Sequence, residues 1–87
     1  MPDTQTIVTL VIDFLQTEVF STDTSITPED NLLTSGLIDS VSMMRLITHL
    51  EISLDLKIPP NELVPKNFFT PQIIAHFLQS LLNDSSV

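Results

Sequence analysis

The sequence is poor in the residues on which several kinds of functional site depend. Its 87 residues include no cysteine, no tryptophan, no tyrosine and a single glycine. Without cysteine, the chain cannot form a disulfide and has no thiol nucleophile of its own. With one glycine, it cannot build a glycine-rich phosphate-binding loop. Disulfide scaffolds, thiol enzymes and P-loop nucleotide-binding proteins are therefore excluded.

Basic residues are also scarce. Three lysines and arginines stand against eleven acidic residues, and the formal net charge is −8. Such a charge argues against nucleic acid and anionic membrane surfaces as partners. It favours docking to basic patches on other proteins. The solubility of a small acidic domain explains the same charge equally well.

Long apolar runs are missing too. No run approaches the ~18 residues of a membrane span, so we expect no membrane span. The first six residues do not have the pattern of a signal peptide. The sequence therefore predicts a cytoplasmic protein.

The residues that are abundant are those of a helical core. Hydrophobic residues make up 43% of the chain, enough for one small domain over residues 1–87 with its core at about 7–82. Many leucines and isoleucines with almost no glycine favour helices. We predict an all-α fold, a small four-helix bundle of three main helices plus one short helix, with a long first loop over residues 21–35.

Three stretches have the spacing of amphipathic helices. The first begins at Asp3 or Thr4 and ends near Val19-Phe20, the second begins at Asp39-Ser40, and the third begins at Thr70-Pro71 and ends at about Leu82. The residues expected to face the core are Ile7, Leu10, Val11, Phe14 and Leu15 in the first helix; Met43, Leu46, Ile47, Leu50 and Leu54 in the second; and Ile73, Ile74, Phe77, Leu78 and Leu81 in the third. Short turns are predicted at Thr27–Asp30 and Pro60–Val64, and Ile58 is expected to plug the core.

The stretch with the clearest chemical meaning lies at the start of the second helix and reads Gly36-Leu37-Ile38-Asp39-Ser40-Val41. A sole glycine just before a helix suggests a backbone position with φ > 0. Asp39 and Ser40 are both good N-cap residues. Because N–H groups and the helix dipole favour an anion there, the Ser40 hydroxyl is a suitable place for a phosphate ester.

This motif resembles the attachment motif of acyl and peptidyl carrier proteins, and the resemblance extends over roughly Ile7 to Leu82. In that family the serine Oγ receives 4′-phosphopantetheine from coenzyme A. The resemblance implies this cofactor on Ser40, a phosphopantetheinyl transferase as partner, and a role for Asp39 in recognition by that transferase. Val41 stands where the family more often has leucine, and it keeps the apolar character. The alternative is that Ser40 simply caps the helix.

No residue pattern predicts catalysis by the domain itself. No histidine or lysine lies near Ser40 in sequence to activate it. His49 and His76 fall on different predicted helices and have no ligand partner four residues away, so no metal site is expected. We predict a carrier without intrinsic catalysis.

Partner enzymes are expected to dock beside Ser40. Val41, Met44, Arg45 and Thr48 fall on the outer side of the second helix. Methionine suits a surface that must fit several partners. The predicted docking surface comprises Leu37, Ile38, Val41, Met44, Arg45 and Thr48. The alternative is that these are ordinary exposed apolar residues.

The resemblance also bears on the cargo. Carriers of fatty-acid synthesis have a strongly acidic second helix, whereas this chain has no acid between Asp39 and Glu51. The segment from Ile58 to Ile74 resembles free-standing aminoacyl and peptidyl carriers, such as the D-alanine carrier of teichoic acid synthesis. This implies a stand-alone, monomeric carrier that holds an aminoacyl or short acyl group as a thioester.

Its implied partners are an adenylating ligase or acyltransferase and downstream tailoring or condensing enzymes, in nonribosomal peptide biosynthesis or a related specialised pathway. Two other functions remain open. One is a fatty-acid or polyketide acyl carrier protein that sequesters its chain among the helices. The other is an unmodified helical protein-interaction module.

Overall fold

The computed structural model describes residues 3–19, 26–33 and 38–84, apart from the side chains of Val19 and Asp84. It has three main helices: α1 (Thr4–Phe14), α2 (Ser40–Leu54) and α3 (Pro71–Asp84). A π-helical segment, Leu15–Val19, extends α1, and two 3₁₀ turns, Pro60–Glu62 and Pro65–Asn67, lie between α2 and α3. The described residues contain no strand. The all-α prediction is confirmed, and the first of the two 3₁₀ turns lies within the turn predicted at Pro60–Val64.

The first helix begins with a side-chain cap. The Thr6 backbone N–H donates to Asp3 Oδ1 at 2.8 Å, so Asp3, not Thr4, is the N-cap. The helical path then continues to Val19, as predicted, although Phe20 lies outside the described residues. The sequence does not predict that the last five residues take the wider π-helical geometry. Leu15 opens this π segment and is completely buried.

A single hydrophobic core joins the three helices and the connecting segments. Among the described residues no polar or charged side chain is buried. α1 packs mainly against α3. The buried residues are Ile7, Val8, Val11, Leu15, Ile26, Leu32, Ile38, Leu46, Ile47, Leu50, Ile58, Phe68, Ile74, Ala75, Leu78 and Leu82.

Backbone hydrogen bonds fix part of the long loop against the start of α3. The Leu32 N–H donates to the Phe69 carbonyl at 2.7 Å, and the Gln72 N–H donates to the Pro28 carbonyl at 3.0 Å. The predicted turn at Thr27–Asp30 is present, and the Asp30 N–H donates to the Thr27 carbonyl at 3.2 Å. The Ile38 N–H, just before α2, donates to the Leu32 carbonyl at 3.2 Å, so the same part of the loop also lies next to the entry to α2.

The inner face of α3 differs from the prediction at three residues: Ile73 is exposed, and Ala75 and Leu82 are buried although they were not predicted to be. Ile73 is 37% exposed, whereas Ile74, Ala75, Leu78 and Leu82 are buried. At about 100° per residue, Ile73 lies roughly 150° from the centre of this buried arc. The prediction overlooked both Ala75 and Leu82, and it therefore placed the centre of the inner face too close to Ile73. The predicted start of α3 is confirmed, because the Ile73 N–H donates to Thr70 Oγ1 at 3.0 Å.

The chain leaves α2 through a hydrogen-bonded turn. Asp55 adopts the left-handed conformation (φ 53°, ψ 53°), and the Leu56 N–H donates to the Glu51 carbonyl at 3.1 Å. These are features of a Schellman motif. Glu51 Oε2 also accepts a hydrogen bond from the Ile58 N–H at 2.8 Å. Ile58 is buried in the core, as predicted.

Candidate functional site

Ser40 is the first residue of α2, and its side chain is exposed. The residue before it, Asp39, has an extended backbone and is the N-cap. Asp39 Oδ1 accepts a hydrogen bond from the Ser42 backbone N–H at 2.8 Å. The sequence left open which of the two residues caps the helix. Because Asp39 does so, the Ser40 hydroxyl is not used as a cap, and the simple capping role considered for Ser40 is wrong.

The charge at the start of α2 is set by Asp39. The hydrogen bond from the Ser42 backbone N–H lowers the pKa of the Asp39 carboxyl below its ordinary value of 3.8. Asp39 is therefore ionised at neutral pH, beside the positive end of the helix dipole. An anion on the Ser40 oxygen would be attracted by the helix and repelled by the Asp39 carboxylate. The arrangement favours an anionic group that points into solvent.

Two grooves meet at Ser40, one on each side of α2. The first has a volume of about 620 Å³ and the second about 470 Å³. Ser40 and Met44 line both grooves. The first is also lined by Phe14, Val41, Arg45, Thr48 and His49, and the second by Leu33, Ile38, Asp39, Met43, Ile47, Leu63, Val64, Pro65 and Phe68.

The outer face of α2 beside Ser40 has the composition expected from the sequence. Val41 is 69% exposed and Met44 53% exposed, and Arg45 and Thr48 are exposed as well. These four residues are called the docking face below. The Arg45 guanidinium lies 3.8 Å from Glu18 Oε1, and both side chains are about half exposed. Such a surface pair contributes at most about 1 kcal/mol, so separating the two side chains costs little free energy.

Two other residues of the predicted docking surface have a different outcome. Ile38 is only 6% exposed and belongs to the core, so its assignment to a docking surface is corrected. It lies just before α2, where helical periodicity gives no information about direction. Leu37 and Gly36 lie outside the described residues.

Neither histidine lies in a metal-binding arrangement. His49 stacks on Phe14 with ring centroids 4.6 Å apart, and its Nε2 lies 3.4 Å from Ser53 Oγ. On α3, His76 Nε2 lies 2.9 Å from Gln72 Nε2. In the part of the chain that the structure describes, no three histidine, aspartate or glutamate side chains lie close enough together to hold a metal ion. No helix in that part is long and apolar enough to cross a membrane.

The exposed surfaces of α1 and α2 differ in kind. Every exposed residue of α1 is polar, as is usual for a surface helix. In α2, by contrast, Val41, Met44 and Ile52 are each more than half exposed. Ile52, at 76%, was missed by the sequence reasoning, which considered only the part of the helix near Ser40. Helical spacing alone could have placed Ile52 on the same side as Val41, because it follows Val41 by eleven residues, or about three helical turns.

Comparison with known proteins assigns the family. Residues 5–68 match the family model described as the phosphopantetheine attachment site. The chain belongs to this family. The family's cofactor is 4′-phosphopantetheine, attached covalently to the domain. The resemblance noted from the Asp39-Ser40 motif is thus confirmed at the level of the family.

Two solved structures have the same fold as this carrier domain. One is the crystal structure of the Bradyrhizobium japonicum glycine:[carrier protein] ligase complexed with glycylated carrier protein. The matched chain is 27% identical in sequence, with a TM-score of 0.64. The match covers 84% of this chain and 95% of that chain. The other is the same ligase complexed with its cognate carrier protein and an analogue of glycyl adenylate, with 26% identity, a TM-score of 0.67 and coverages of 88% and 96%. An 87-residue chain covers at least 95% of the matched chain in both structures. The matched chain is therefore the small carrier protein and not the ligase. No curated protein matches the sequence.

Proposed function

We propose that Ser40 Oγ is the attachment atom for 4′-phosphopantetheine. We further propose that the chain is a stand-alone carrier that holds an aminoacyl or short acyl group as a thioester and delivers it in trans to biosynthetic enzymes. The observation that carries this proposal is the division of roles at the start of α2. Asp39 caps the helix, and the exposed hydroxyl of Ser40 remains available.

The residues around Ser40 fit a group joined through a phosphodiester. The hydroxyl lies at a helix N-terminus, where N–H groups and the dipole stabilise a negative charge. The neighbouring Asp39 carboxylate repels that charge and directs it outward. A phosphopantetheine arm supplies a thiol, which the cysteine-free chain lacks. The chain's own contribution is to present one oxygen at a fixed, accessible position.

Ser40 needs a base from another protein. His49 lines one of the grooves that meet at Ser40, but it lies nine residues further along α2. The rise of an α-helix places the two residues about 13 Å apart along the axis, too far for proton transfer. The phosphopantetheinyl transferase therefore has to supply the base that activates Ser40. We propose that the carrier has no catalysis of its own.

The docking face gives partner enzymes a place to bind beside Ser40. Val41 and Met44 provide apolar contact area, and Arg45 and Thr48 provide polar contacts. A patch this small supports weak, transient association, which suits a carrier that has to leave after each step. Tethering the cargo near each enzyme raises its effective concentration. The proposed partners are the transferase, an adenylating ligase or acyltransferase, and downstream tailoring or condensing enzymes.

An aminoacyl cargo has the better support among the possible cargoes. Both similar structures contain a carrier bound to a glycine ligase, and in one of them the carrier is glycylated. The outer face of α2 carries Arg45 and no acid between Asp39 and Glu51, unlike the acidic helix of fatty-acid carriers. We place the carrier in nonribosomal peptide biosynthesis or a related specialised pathway, in the cytoplasm, where ATP is available for adenylation.

The attachment is tested by modification in vitro. The purified chain is incubated with coenzyme A, Mg²⁺ and a broad-specificity phosphopantetheinyl transferase, and its intact mass is measured. One arm adds about 340 Da to the wild type. Ser40→Ala should abolish the gain. Ser42→Ala, two residues along the same helix, should retain it, because the cap uses only the backbone of Ser42. A wild type that gains no mass would support the unmodified interaction module instead.

The cargo is tested by loading the modified carrier. A set of amino-acid adenylating ligases, including the Bradyrhizobium japonicum glycine ligase, is compared with malonyl and fatty-acyl transferases. We expect transfer of an amino acid from at least one ligase and little transfer of fatty-acyl groups. The opposite preference would assign the chain to fatty-acid or polyketide carriers. Their acyl chain could then occupy the apolar groove lined by Leu63, Val64 and Phe68.

A further inference from the structure

The apolar surface of α2 continues well beyond the docking face. Ile52 is 76% exposed, which makes it more exposed than Val41 or Met44. It follows Val41 by eleven residues, which corresponds to about 16 Å along the axis and a rotation of about 20°. Ile52 therefore lies on the same side of the helix as the docking face, near the opposite end from Ser40.

A groove surrounds Ile52 and adjoins the docking face. Glu51, Asp55, Leu56 and Lys57 are among the residues that line it. Thr48 lines both this groove and the groove that contains Ser40. The two grooves thus share one wall, and together they form one continuous surface along α2. We call Ile52 and its groove the distal point.

The distal point is held in place by hydrogen bonds. Glu51 Oε2 accepts from the Ile58 N–H at 2.8 Å, and the Leu56 N–H donates to the Glu51 carbonyl at 3.1 Å. The loop that forms the far wall is therefore hydrogen-bonded to α2 in the free chain. A preorganised surface loses less conformational entropy on association.

The charge of the distal point indicates the chemistry of its partner. The Glu51 carboxylate already accepts a hydrogen bond within the chain, whereas Asp55 and Lys57 are both exposed. With two acids and one base, the lining of the groove remains net negative. With a net charge of −8, the chain is attracted to a basic surface and repels a second copy of itself. A heterologous partner with a cationic side chain opposite Asp55 fits better than self-association.

We infer that the distal point is a second contact for the adenylating ligase, which offers an apolar socket to Ile52 and a basic residue to Asp55. This inference rests on the function proposed above. A single contact beside Ser40 would leave the carrier free to pivot. A second contact about 16 Å away fixes the direction of α2 on the ligase, and so directs the Ser40 oxygen toward the ligase active site.

The test compares two charge-equivalent variants. Ile52→Glu removes the apolar anchor, and Ser53→Glu adds the same charge at the next exposed residue, about 100° further around the helix. Both carriers are first modified by the transferase and checked by mass. The ligase that loads the wild type best is then used to measure KM for each carrier. Ile52→Glu should raise KM about tenfold or more with kcat nearly unchanged, and Ser53→Glu should change KM less than about threefold.

The outcomes separate this inference from the proposed function. Equal KM values for Ile52→Glu and Ser53→Glu, with normal loading of the wild type, would overturn the distal point alone. No loading of the modified wild type by any ligase would overturn the aminoacyl carrier function and the inference with it. A defect of Ile52→Glu in the transferase step but not in loading would assign Ile52 to the transferase and contradict the inference. The inference would also be contradicted if analytical ultracentrifugation showed that the wild type is a dimer and that Ile52→Glu is a monomer.

Discussion

At the scale of single residues, the site depends on Asp39 and Ser40 having different tasks. Asp39 satisfies a backbone donor of the first turn of α2, and Ser40 presents its hydroxyl to solvent. Sequence reasoning identified the pair but could not divide the roles, because aspartate and serine are similarly good caps. The choice depends on the extended backbone of Asp39. Ile38 was misplaced for a related reason, since it precedes the helix and has no periodic neighbours.

The Asp39 cap predicts a pH dependence at this scale. The lowered pKa means that the ionised carboxylate stabilises the fold, fully above about 3.8 and progressively less as the pH falls through the lower folded value. Asp39→Asn keeps a capping oxygen but removes the titrating group. The stability difference between wild type and Asp39→Asn should therefore shrink as the pH falls below about 4.

This prediction is checked by carbon NMR of the Asp39 carboxyl and by urea unfolding at several pH values. A midpoint at or above 3.8 for Asp39 would contradict the account of the cap. Asp3 is a useful internal comparison. It caps α1 in the same way, and the hydrogen bond from the Thr6 N–H lowers its pKa as well.

At the scale of elements, α2 is the part of the chain that links the fold to function. Its inner side contributes Leu46, Ile47 and Leu50 to the core, as its spacing predicts. Its outer side presents an apolar surface to solvent. Periodicity predicted both sides but not the π-helical end of α1, because no simple residue pattern specifies that geometry. The inner arc of α3 was misjudged because Ala75 and Leu82 were not counted as core residues.

The end of α2 provides a stability prediction for an element. Asp55 is the one described residue other than glycine with positive φ. Glycine adopts this conformation at a lower cost, so Asp55→Gly should raise the free energy of unfolding by about 0.5–1 kcal/mol. Urea unfolding measures the change. Asp13→Gly is the matched control, since it removes the same charge from the second-to-last residue of α1, where the helical path continues to Val19, and should destabilise the protein.

A loss of stability in Asp55→Gly would contradict the Schellman assignment. If both variants were stabilised equally, the cause would be reduced charge repulsion, and the left-handed backbone of Asp55 would have no measurable effect. Asp55 also lies on the rim of the distal point, so Asp55→Gly removes the carboxylate that we propose faces a basic residue of the ligase.

At the scale of the whole molecule, a small core supports an acidic surface. Among the described residues every buried side chain is apolar, and the acidic side chains are at least partly exposed. The helical class and the family could be predicted from composition, spacing and the Asp39-Ser40 motif. The exposure of Ile52 could have been found from helical spacing, but the groove around it could not, because it is formed by α2 together with the loop that follows it and by Leu81 of α3.

The overall charge predicts how the carrier meets its partners. If a net charge of −8 steers it toward basic surfaces, added salt should weaken the encounter. We expect kcat/KM for ligase loading to fall on the order of tenfold between low and high ionic strength. The turnover number at saturating carrier serves as the control and should change little. A salt-independent kcat/KM would mean that the charge serves solubility alone.

The most direct test of the central claim is to locate the adduct on the wild-type chain. After reaction with coenzyme A and the transferase, the protein is digested, and the modified peptide is fragmented in a mass spectrometer to assign the altered residue. We predict a single phosphopantetheine on Ser40, with Ser42 unmodified. An adduct on any other residue, or none at all, would contradict the account.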